Sequence, residues 1–580
     1  MASLPGHSHI GLRRHCGICG HLMAINERFI ACEFPRMQIR FIMIGSENST
    51  ECLRRTDISV FPDYGHSIRR LNDMLLCRRP GCKHCAASAE AVTVHSDCFD
   101  LYARNSRSKD ALRRLWAFAA WRIPWREAPS ILCDDEFPVA PNPLVLEGYA
   151  LSELRKLSPE IIKTIQGFSA TSLLWRFSSA LELARFSSVA APSELISIPL
   201  CQLPVWERGG VPIRATSRQA PFMRLTIDSR GIKTVERLPE MPRFELWRSD
   251  RLAFVIIEES CVKDFGMLRL ELPKTLSGLQ TWDTPTPPDQ VHTTLYRADI
   301  GNSTQFRTIK LCDATGITFF FCHGNVYAIH AHTASAPSAK RTFESLSRRR
   351  QHTVTWLYVP IPPNDRITAF GTRLSKSRNQ YADGLCFLFR MRLAGDIVAG
   401  PYAGDFGHFG LTTAPVALIY DTADLGPVSV IGACSKELRR KMDIVPCPQP
   451  RPKDVPLQNA IFSSGSLNNV VRIQTFHAED NEACRGILLE YQNGAQRPLG
   501  QCRIHVDVTK EYATPAYICF LRMTSLRPQT SASLRGVKVE CAKNDEHHHA
   551  EEGWTCCTMD GELDFWFNSE ESDMMAIIHE

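Results

Sequence analysis

Short apolar segments separated by turn residues fill most of the chain after residue 195. Examples are 223–227, 252–257, 316–321 and 354–359, and Gly, Pro, Asn and Asp lie between such segments. This spacing is typical of antiparallel strands joined by tight turns. The pattern therefore predicts a large, mainly antiparallel β region from about Ile196 onward, arranged as a sandwich or a prism-like fold.

The pattern between residues 104 and 195 is helical instead. Leu112, Leu115 and Trp116 recur at helical spacing and predict a helix that ends near Pro124. Residues 151–188 follow the same periodicity. Together with the β region, these segments predict a multidomain α+β protein.

The length of 580 residues suggests several domains. Residues 446–456 contain five prolines and predict a stiff, extended boundary inside the β region. We therefore expect four modules: a Cys/His module at 1–103, a helical region at 104–195, a β-rich domain at 196–445 and a second β-rich domain at 457–580.

Composition narrows the class of protein. A hydrophobic content of 44% and a charged content of 22% are those of a globular chain. No apolar run approaches the ~18 residues that span a bilayer, and the first residues lack a secretory signal. A net charge of +5 is too small to indicate nucleic-acid binding. We expect an intracellular protein, cytoplasmic or nuclear, with no membrane contact.

Cysteine placement indicates where metal chemistry lies. The chain has 22 cysteines, and eight of them fall within the first 98 residues. Clustered cysteines in a reducing compartment are typical of metal ligands. Cys16 and Cys19, followed by Gly20, have the spacing of a zinc knuckle, and His95 and Cys98 fit one face of a first helical turn.

The candidate zinc ligands can be divided in two ways. In the preferred division, Cys16, Cys19, His95 and Cys98 bind one zinc ion, and Cys82 and Cys85 pair with Cys77 and either His84 or His66. In the other, Cys82, Cys85, His95 and Cys98 form one site, and the first Cys pair needs Cys32 and His15. Four Cys/His ligands leave no open position, which is typical of structural zinc and not of catalysis.

A helical segment contains the candidate protein-binding residues. Ser158 at the N-cap and Pro159 at the first helical position predict a helix start. A second helix with a large aromatic residue follows. The residues that we expect to contact a partner are Leu157, Pro159, Ile161, Ile162, Ile165 and Trp175.

Three other groups are less convincing as metal sites. Residues 545–549 include three consecutive histidines, which we interpret as a solvated loop. Cys556 and Cys557 are adjacent and are interpreted as buried thiols. His330 and His332 share a strand face and are interpreted as ordinary structural histidines.

Three resemblances suggest a function. The Cys16–Cys19 knuckle with His95 and Cys98 resembles LIM-type and other treble-clef zinc fingers, although the insert between the two halves is unusually long. The 151–188 segment resembles a degenerate F-box, which implies docking on a Skp-type adaptor of a cullin ubiquitin ligase. The whole chain resembles a family of large filamentous-fungal proteins with zinc-finger and F-box-like segments, and that family implies no reaction. The residues that support this last resemblance are Cys16–Cys19 with Ile30 and Ala31, 95–102, 158–165 with Leu174, Trp175 and Arg176, 316–332 and 484–502.

The expected function is that of a non-enzymatic, zinc-stabilised interaction protein whose β-rich region recognises a protein partner. One alternative is an F-box-like substrate adaptor of a ubiquitin ligase. Another is a carbohydrate binder. That alternative depends on an echo in which Gly316 and Gly486 each begin a segment with an aromatic residue five positions later and a glycine eight positions later.

Overall fold

The computed structural model describes the greater part of the chain, in two compact units. The first unit comprises Met1–Pro287 with Ile300–Phe306, and the second comprises Pro288–Asp299 with Arg307–Glu580. The four-module division is finer than this and stays a prediction. The described residues are 8–24, 26–34, 54–62, 69–71, 74–78, 82, 84–85, 88, 90–108, 110–125, 141–169, 172–189, 196–199, 202–210, 220–245, 247–249, 252–256, 260–264, 267–271, 279–288, 292–296, 304–375, 384–401, 408–422, 426–435, 443–446, 457, 460–477, 482–526, 533–549 and 551–577.

Within its described residues, the first unit combines short strands with five α-helices and one 3-10 helix at Ser152–Lys156. Its elements are β1 (Ser8–Gly11), β2 (Arg28–Phe34), β3 (Arg54–Arg55), β4 (Ser59–Val60), β5 (Arg69–Leu71), β6 (Met74–Cys77), β7 (Glu90–His95), α1 (Ser96–Asn105), α2 (Ala111–Ala120), α3 (Pro143–Gly148), α4 (Pro159–Phe168), α5 (Leu173–Val189), β8 (Ile196–Pro199), β9 (Trp206–Glu207), β10 (Phe222–Asp228), β11 (Gly231–Leu238), β12 (Ala253–Ile256), β13 (Ser260–Asp264), β14 (Met267–Glu271) and β15 (Gln280–Trp282).

Strand β2 organises the front of the first unit. It pairs antiparallel with β7 from Phe29 to Phe34 and with the short strands β3 and β4. Strand β1 pairs in parallel with β6, which also pairs with β5. These two small sheets bring the start of the chain beside residues 74–98, where most of the other candidate ligands lie.

Helices α2 and α5 cover this front region. Helix α2 buries Leu115 and Trp116 in a core that includes Phe29 of β2. Helix α5 contributes Ala180 and Ala184 to the same core, because small side chains let the helix pack closely. Both helices therefore pack against the elements that carry the candidate metal ligands.

Helix α4 begins where the sequence predicts. Ser158 is extended at the N-cap, and Pro159 occupies the first helical position, where a missing N–H costs nothing. Its inner side buries Ile162 against Val145, Leu146 and Leu174. The predicted helix near residues 112–119 is also present, as α2.

The part of the second unit that the structure describes contains two short helices and many strands. Its elements are β16 (Thr293–Tyr296), β17 (Thr304–Lys310, of which the first three residues belong to the first unit), β18 (Gly316–Cys322), β19 (Asn325–His332), α6 (Lys340–Glu344), α7 (Arg348–Gln351), β20 (Thr355–Pro360), β21 (Ile367–Ser375), β22 (Gly384–Met391), β23 (Gly395–Ala399), β24 (His408–Thr413), β25 (Pro415–Thr422), β26 (Ile431–Ser435), β27 (Asp443–Pro446), β28 (Ile461–Ser466), β29 (Val470–His477), β30 (Cys484–Tyr491), β31 (Gln496–Gly500), β32 (Val508–Ala513), β33 (Tyr517–Leu526), β34 (Ser533–Ala542), β35 (Thr555–Thr558), β36 (Glu562–Phe567) and β37 (Ser572–Ile577).

Antiparallel hairpins dominate the second unit. Strand β18 pairs with β19, and β30 pairs with β31. Gly324 and Gly494 lie at the two turns with φ of +78° and +82°, a conformation that glycine adopts without strain. The echo seen in the sequence therefore corresponds to two hairpins, and one continuous apolar core joins their strands.

The structure is mostly β, with many small sheets and few helices, so the expectation of a mainly β protein is confirmed. The finer expectation of a sandwich or prism stays a prediction. His66 and residues 447–456 lie outside the described residues.

Candidate metal centres

The first candidate site begins with a tight turn at Cys16 and Cys19. Gly20 adopts a φ of +81°, and its N–H donates to the Cys16 carbonyl at 2.8 Å. The Cys16 N–H donates in turn to the His21 carbonyl at 2.9 Å. This compact turn points both thiols in one direction, as the knuckle spacing predicts.

Strand β7 and helix α1 supply the other half of the site. His95 is the last residue of β7 and pairs with Phe29 across the sheet. Cys98 lies three residues later, in the first turn of α1. The N–H of Gly17 donates to the Thr93 carbonyl at 2.9 Å, which holds the turn against β7.

These four side chains form a closed quartet, which we call the first cluster: Cys16, Cys19, His95 and Cys98. Their ligand atoms lie within 4.8 Å of one another, and all four residues are buried. Nδ1 of His95 lies 3.4 Å from Cys19 Sγ and 3.7 Å from Cys98 Sγ. Tetrahedral zinc with bonds of about 2.3 Å to sulfur and 2.0 Å to nitrogen requires N-to-S separations of about 3.5 Å. The first cluster therefore has the spacing of a tetrahedral metal site.

A carboxylate lies behind the histidine of the first cluster. Nε2 of His95 is 3.1 Å from Oε2 of Glu27, so the ring can donate there while Nδ1 faces the thiols. The guanidinium of Arg176, on helix α5, contacts Glu27 and lies 3.2 Å from Asp97. Such outer carboxylates orient metal-binding histidines and set which ring nitrogen is free.

Close packing shifts the pKa values of all four groups in the first cluster. Burial raises the pKa of Cys16, but hydrogen bonds with Cys19, Cys98 and His95 bring it well below its ordinary value. Burial raises the pKa of Cys19, and the neighbouring thiols raise that of Cys98. Burial lowers the pKa of His95, but its contacts with the thiols and Glu27 raise it to about 12. Three thiolates cannot coexist here without positive charge, which a metal ion supplies.

The second cluster consists of His9, Cys77, Cys82 and Cys85, whose ligand atoms also lie within 4.8 Å of one another. The parallel pairing of β1 with β6 places His9 opposite Leu75, close to Cys77 at the end of β6. Nδ1 of His9 is 3.1 Å from Cys85 Sγ. Contact with Cys77, followed by burial, raises the pKa of Cys85.

The structure brings all seven cysteines and histidines proposed as ligands into these two clusters. It agrees with the preferred division, because Cys82 and Cys85 are grouped with Cys77 and not with His95 and Cys98. The fourth group differs from both named candidates, since it is His9. His84 is exposed, and its ring lies 5.5 Å from that of His9 between centroids, tilted by 52°.

The predicted partner-binding residues are divided between the surface and the interior. Leu157, Pro159 and Ile161 are exposed, and Ile165 is half-buried. Ile162 and Trp175 are buried, and the indole N–H of Trp175 donates to Ser169 Oγ at 3.0 Å. Packing of α4 against α3 and α5 therefore uses two of the six residues for the core.

A third cluster, in the second unit, combines residues that the sequence did not indicate as ligands. Cys519, His547, His549 and Cys556 place their ligand atoms within 4.8 Å of one another. The histidines are half-buried, and Cys556 is exposed, whereas its neighbour Cys557 is buried as expected. A His-x-His pair seven residues before a cysteine was the available signal.

His330 and His332 agree with their interpretation as structural histidines. Nδ1 of His330 lies 2.9 Å from Thr342 Oγ1, and Nε2 of His332 lies 2.7 Å from Thr318 Oγ1. Backbone carbonyls face the remaining ring nitrogens. Both rings are therefore engaged in hydrogen bonds within the protein.

Comparisons with known proteins add no relative. No protein-family model matches the sequence, and no curated protein matches it significantly. The resemblances to treble-clef fingers, F-boxes and a fungal family therefore stay predictions. Within the described residues, no helix is both long enough and apolar enough to cross a membrane.

Proposed function

We propose that the front of the first unit is a non-catalytic module held together by two zinc ions. The observation that supports this is the presence of two complete Cys/His quartets whose ligands alternate along the chain. His9 belongs to the second cluster, Cys16 and Cys19 to the first, residues 77–85 to the second again, and residues 95–98 to the first. Each ion therefore ties together segments roughly 70 to 80 residues apart, and neither cluster leaves a coordination position open.

Zinc is the ion that suits these donors. Both clusters combine three thiols with one imidazole, and soft thiolates with imidazole favour zinc over the oxygen-seeking ions calcium and magnesium. Burial of the first cluster also keeps substrate and water away from the ion. The proposed role is structural, in a treble-clef-like arrangement of turn, strand and helix start.

Elemental analysis of the full chain tests this proposal. Cys98→Ser and Cys82→Ser should each lower the zinc content by one equivalent relative to the unsubstituted chain. Cys32→Ser is the matched control, because Cys32 is buried beside the first cluster but belongs to neither quartet. Equal zinc in the control and both ligand variants would contradict the proposal.

The module would serve a protein whose β-rich region, residues 196–580, recognises a protein partner. A closed zinc site contributes folding energy and no reaction, which agrees with a binding protein. A pull-down that uses the full chain as bait tests this role. The comparison is the same chain after zinc depletion. Loss of partner binding on depletion, with recovery on adding zinc, is the expected result.

A second candidate function, docking on a Skp-type adaptor, is favoured by exposed apolar side chains just before helix α4 and on it. Leu157 is 36% exposed, Ile161 49% and Phe168 91%. Ile161 and Phe168 are seven residues apart and lie on one side of helix α4, and Leu157 precedes the helix by two residues. An apolar stripe of this kind is typical of a helix that binds another protein.

Co-purification with a Skp-type adaptor tests the second candidate. Ile161→Asp should abolish binding because it puts a charge in the centre of the apolar stripe. Lys163→Asp is the control, since Lys163 lies on the opposite side of the same helix. Undiminished binding by the Ile161 variant, or no binding by the unsubstituted chain at micromolar concentration, would remove this candidate.

A further inference from the structure

The third cluster is assembled by strand pairing in the second unit. Strand β33 pairs with β34 and β35, and the register sets Cys519 directly opposite Cys556. The loop that follows β34 brings His547 and His549 next to these two thiols. Nε2 of His547 lies 3.2 Å from both thiols, and Nε2 of His549 lies 3.3 Å from Cys556 Sγ.

The groups that contact Nδ1 of each histidine determine that Nε2 is the nitrogen that faces the thiols. Nδ1 of His547 lies 2.8 Å from the carbonyl of Asn544, which can only accept, so Nδ1 carries the proton and Nε2 is unprotonated. Nδ1 of His549 lies 3.3 Å from the Glu540 carboxylate. A carbonyl or carboxylate behind each ring is the usual support of metal-binding histidines.

Further contacts hold the loop and its imidazoles in place. The His549 ring stacks on Trp554 with 4.3 Å between centroids and an angle of 9°. Lys538, on β34, contacts Glu551 of the loop at 2.9 Å. These contacts reduce the freedom that both side chains would lose on binding an ion.

Thiol-to-imidazole hydrogen bonds alone explain this geometry less well than a bound metal ion does. Two thiols converge on one Nε2, which has a single lone pair and can accept one proton. A tetrahedral ion satisfies all four donors, and the N-to-S distances approach the ~3.5 Å that zinc requires. The cluster also keeps two thiols beside each other across the β33–β35 pairing.

We propose that Cys519, His547, His549 and Cys556 bind a further zinc ion, which fastens the loop 543–554 to strands β33 and β35. The site differs from the two in the first unit because it is half-open, with an exposed Cys556. It uses two thiolates and two neutral imidazoles, so the two negative charges of the ligands offset the charge of a divalent zinc ion. The site is independent of the module proposed above and shares no residue with it.

Zinc content of the full-length chain tests this site against neighbouring residues of the same kind. Cys556→Ser and the double variant His547→Ala with His549→Ala should each contain one equivalent less zinc than the unsubstituted chain. Cys557→Ser and His548→Ala are the matched controls, because they change the adjacent thiol and the intervening imidazole. Both controls should keep the full zinc content.

Circular dichroism and the zinc retained by the first unit show whether each variant has folded. The site is refuted if the ligand variants hold as much zinc as the unsubstituted chain, or if the controls lose as much as the ligand variants. Either result leaves the two clusters of the first unit untouched, because Cys98→Ser and Cys82→Ser test those separately.

Discussion

Replacement of Glu27 tests whether the outer carboxylate prepares His95 for metal binding. Oε2 of Glu27 lies 3.1 Å from His95 Nε2 and accepts from the Ala24 N–H at 2.9 Å. The Glu27 side chain is 22% exposed, whereas that of His95 is fully buried. Water can therefore replace the carboxylate only in part, and without it the ring loses the partner that directs Nδ1 to the thiols.

The expected loss is in zinc affinity at one site. Removal of an outer-shell partner typically weakens metal binding ~10- to 100-fold, which corresponds to about 1.4 to 2.7 kcal/mol. Glu27→Gln keeps an amide oxygen that can accept from His95, so we expect the lower end, about 10-fold. Glu27→Ala removes the acceptor and should approach 100-fold.

Equilibration in zinc-buffered solutions provides the assay. Zinc per chain, measured at falling free zinc, should give a curve with one step for each site. The Glu27 variants should move one step to higher free zinc and leave the others in place. Glu153→Gln is the control, because Glu153 forms an exposed pair with Lys156 at 2.7 Å on the surface.

If every step of the Glu27→Ala curve coincides with that of the unsubstituted chain within twofold, the carboxylate does not act on the site. If all steps move together, the substitution has disturbed the fold as a whole. Only a shift confined to one step agrees with the geometry of the first cluster.

Three further predictions concern packing, pH and metal exchange. Gly17→Ala should lower the free energy of unfolding, measured by urea titration, by about 1 to 3 kcal/mol, because the new Cβ would lie 2.4 Å from Val92 Cγ1. Gly148→Ala should change this free energy little, because open space surrounds Gly148. Burial lowers the pKa of His332 from 6.5 to about 4, so the stability that the buried neutral ring contributes is present above pH 6.5 and is lost as the pH falls towards 4. Urea titration at pH 6.5 and at pH 4 should show a loss of about 3 kcal/mol in the free energy of unfolding. This loss should be absent in His332→Gln. A chelator should remove one zinc equivalent in a fast phase and the remaining zinc more slowly, because Cys556 is an exposed ligand. Cys556→Ser should abolish the fast phase. A single slow phase in the unsubstituted chain would contradict this prediction.

Local spacing was enough to locate the halves of the first cluster. Cys16 and Cys19 lie in one tight turn, and His95 and Cys98 lie at a strand end and the first turn of the next helix. Both arrangements depend on three intervening peptide units, which the sequence specifies directly. The start of helix α4 at Pro159 was predictable for the same reason.

The second cluster required long-range structure. His84 was a natural candidate because it lies between Cys82 and Cys85 in the sequence, but it is exposed. His9 enters the cluster through the parallel pairing of β1 with β6, about 65 residues away along the chain. A parallel pairing depends on how several elements pack, and no local pattern reports it.

The third cluster shows the same limit more strongly. Cys519 and Cys556 become neighbours through the register of β33 with β35, and a shift of one residue would turn one thiol to the other face. The sequence by itself determined the mainly β character, the helix starts and the paired ligands close in sequence, because these depend on local periodicity and short spacings. Only the tertiary structure decided which distant groups complete each quartet, because strand register and burial bring those side chains together.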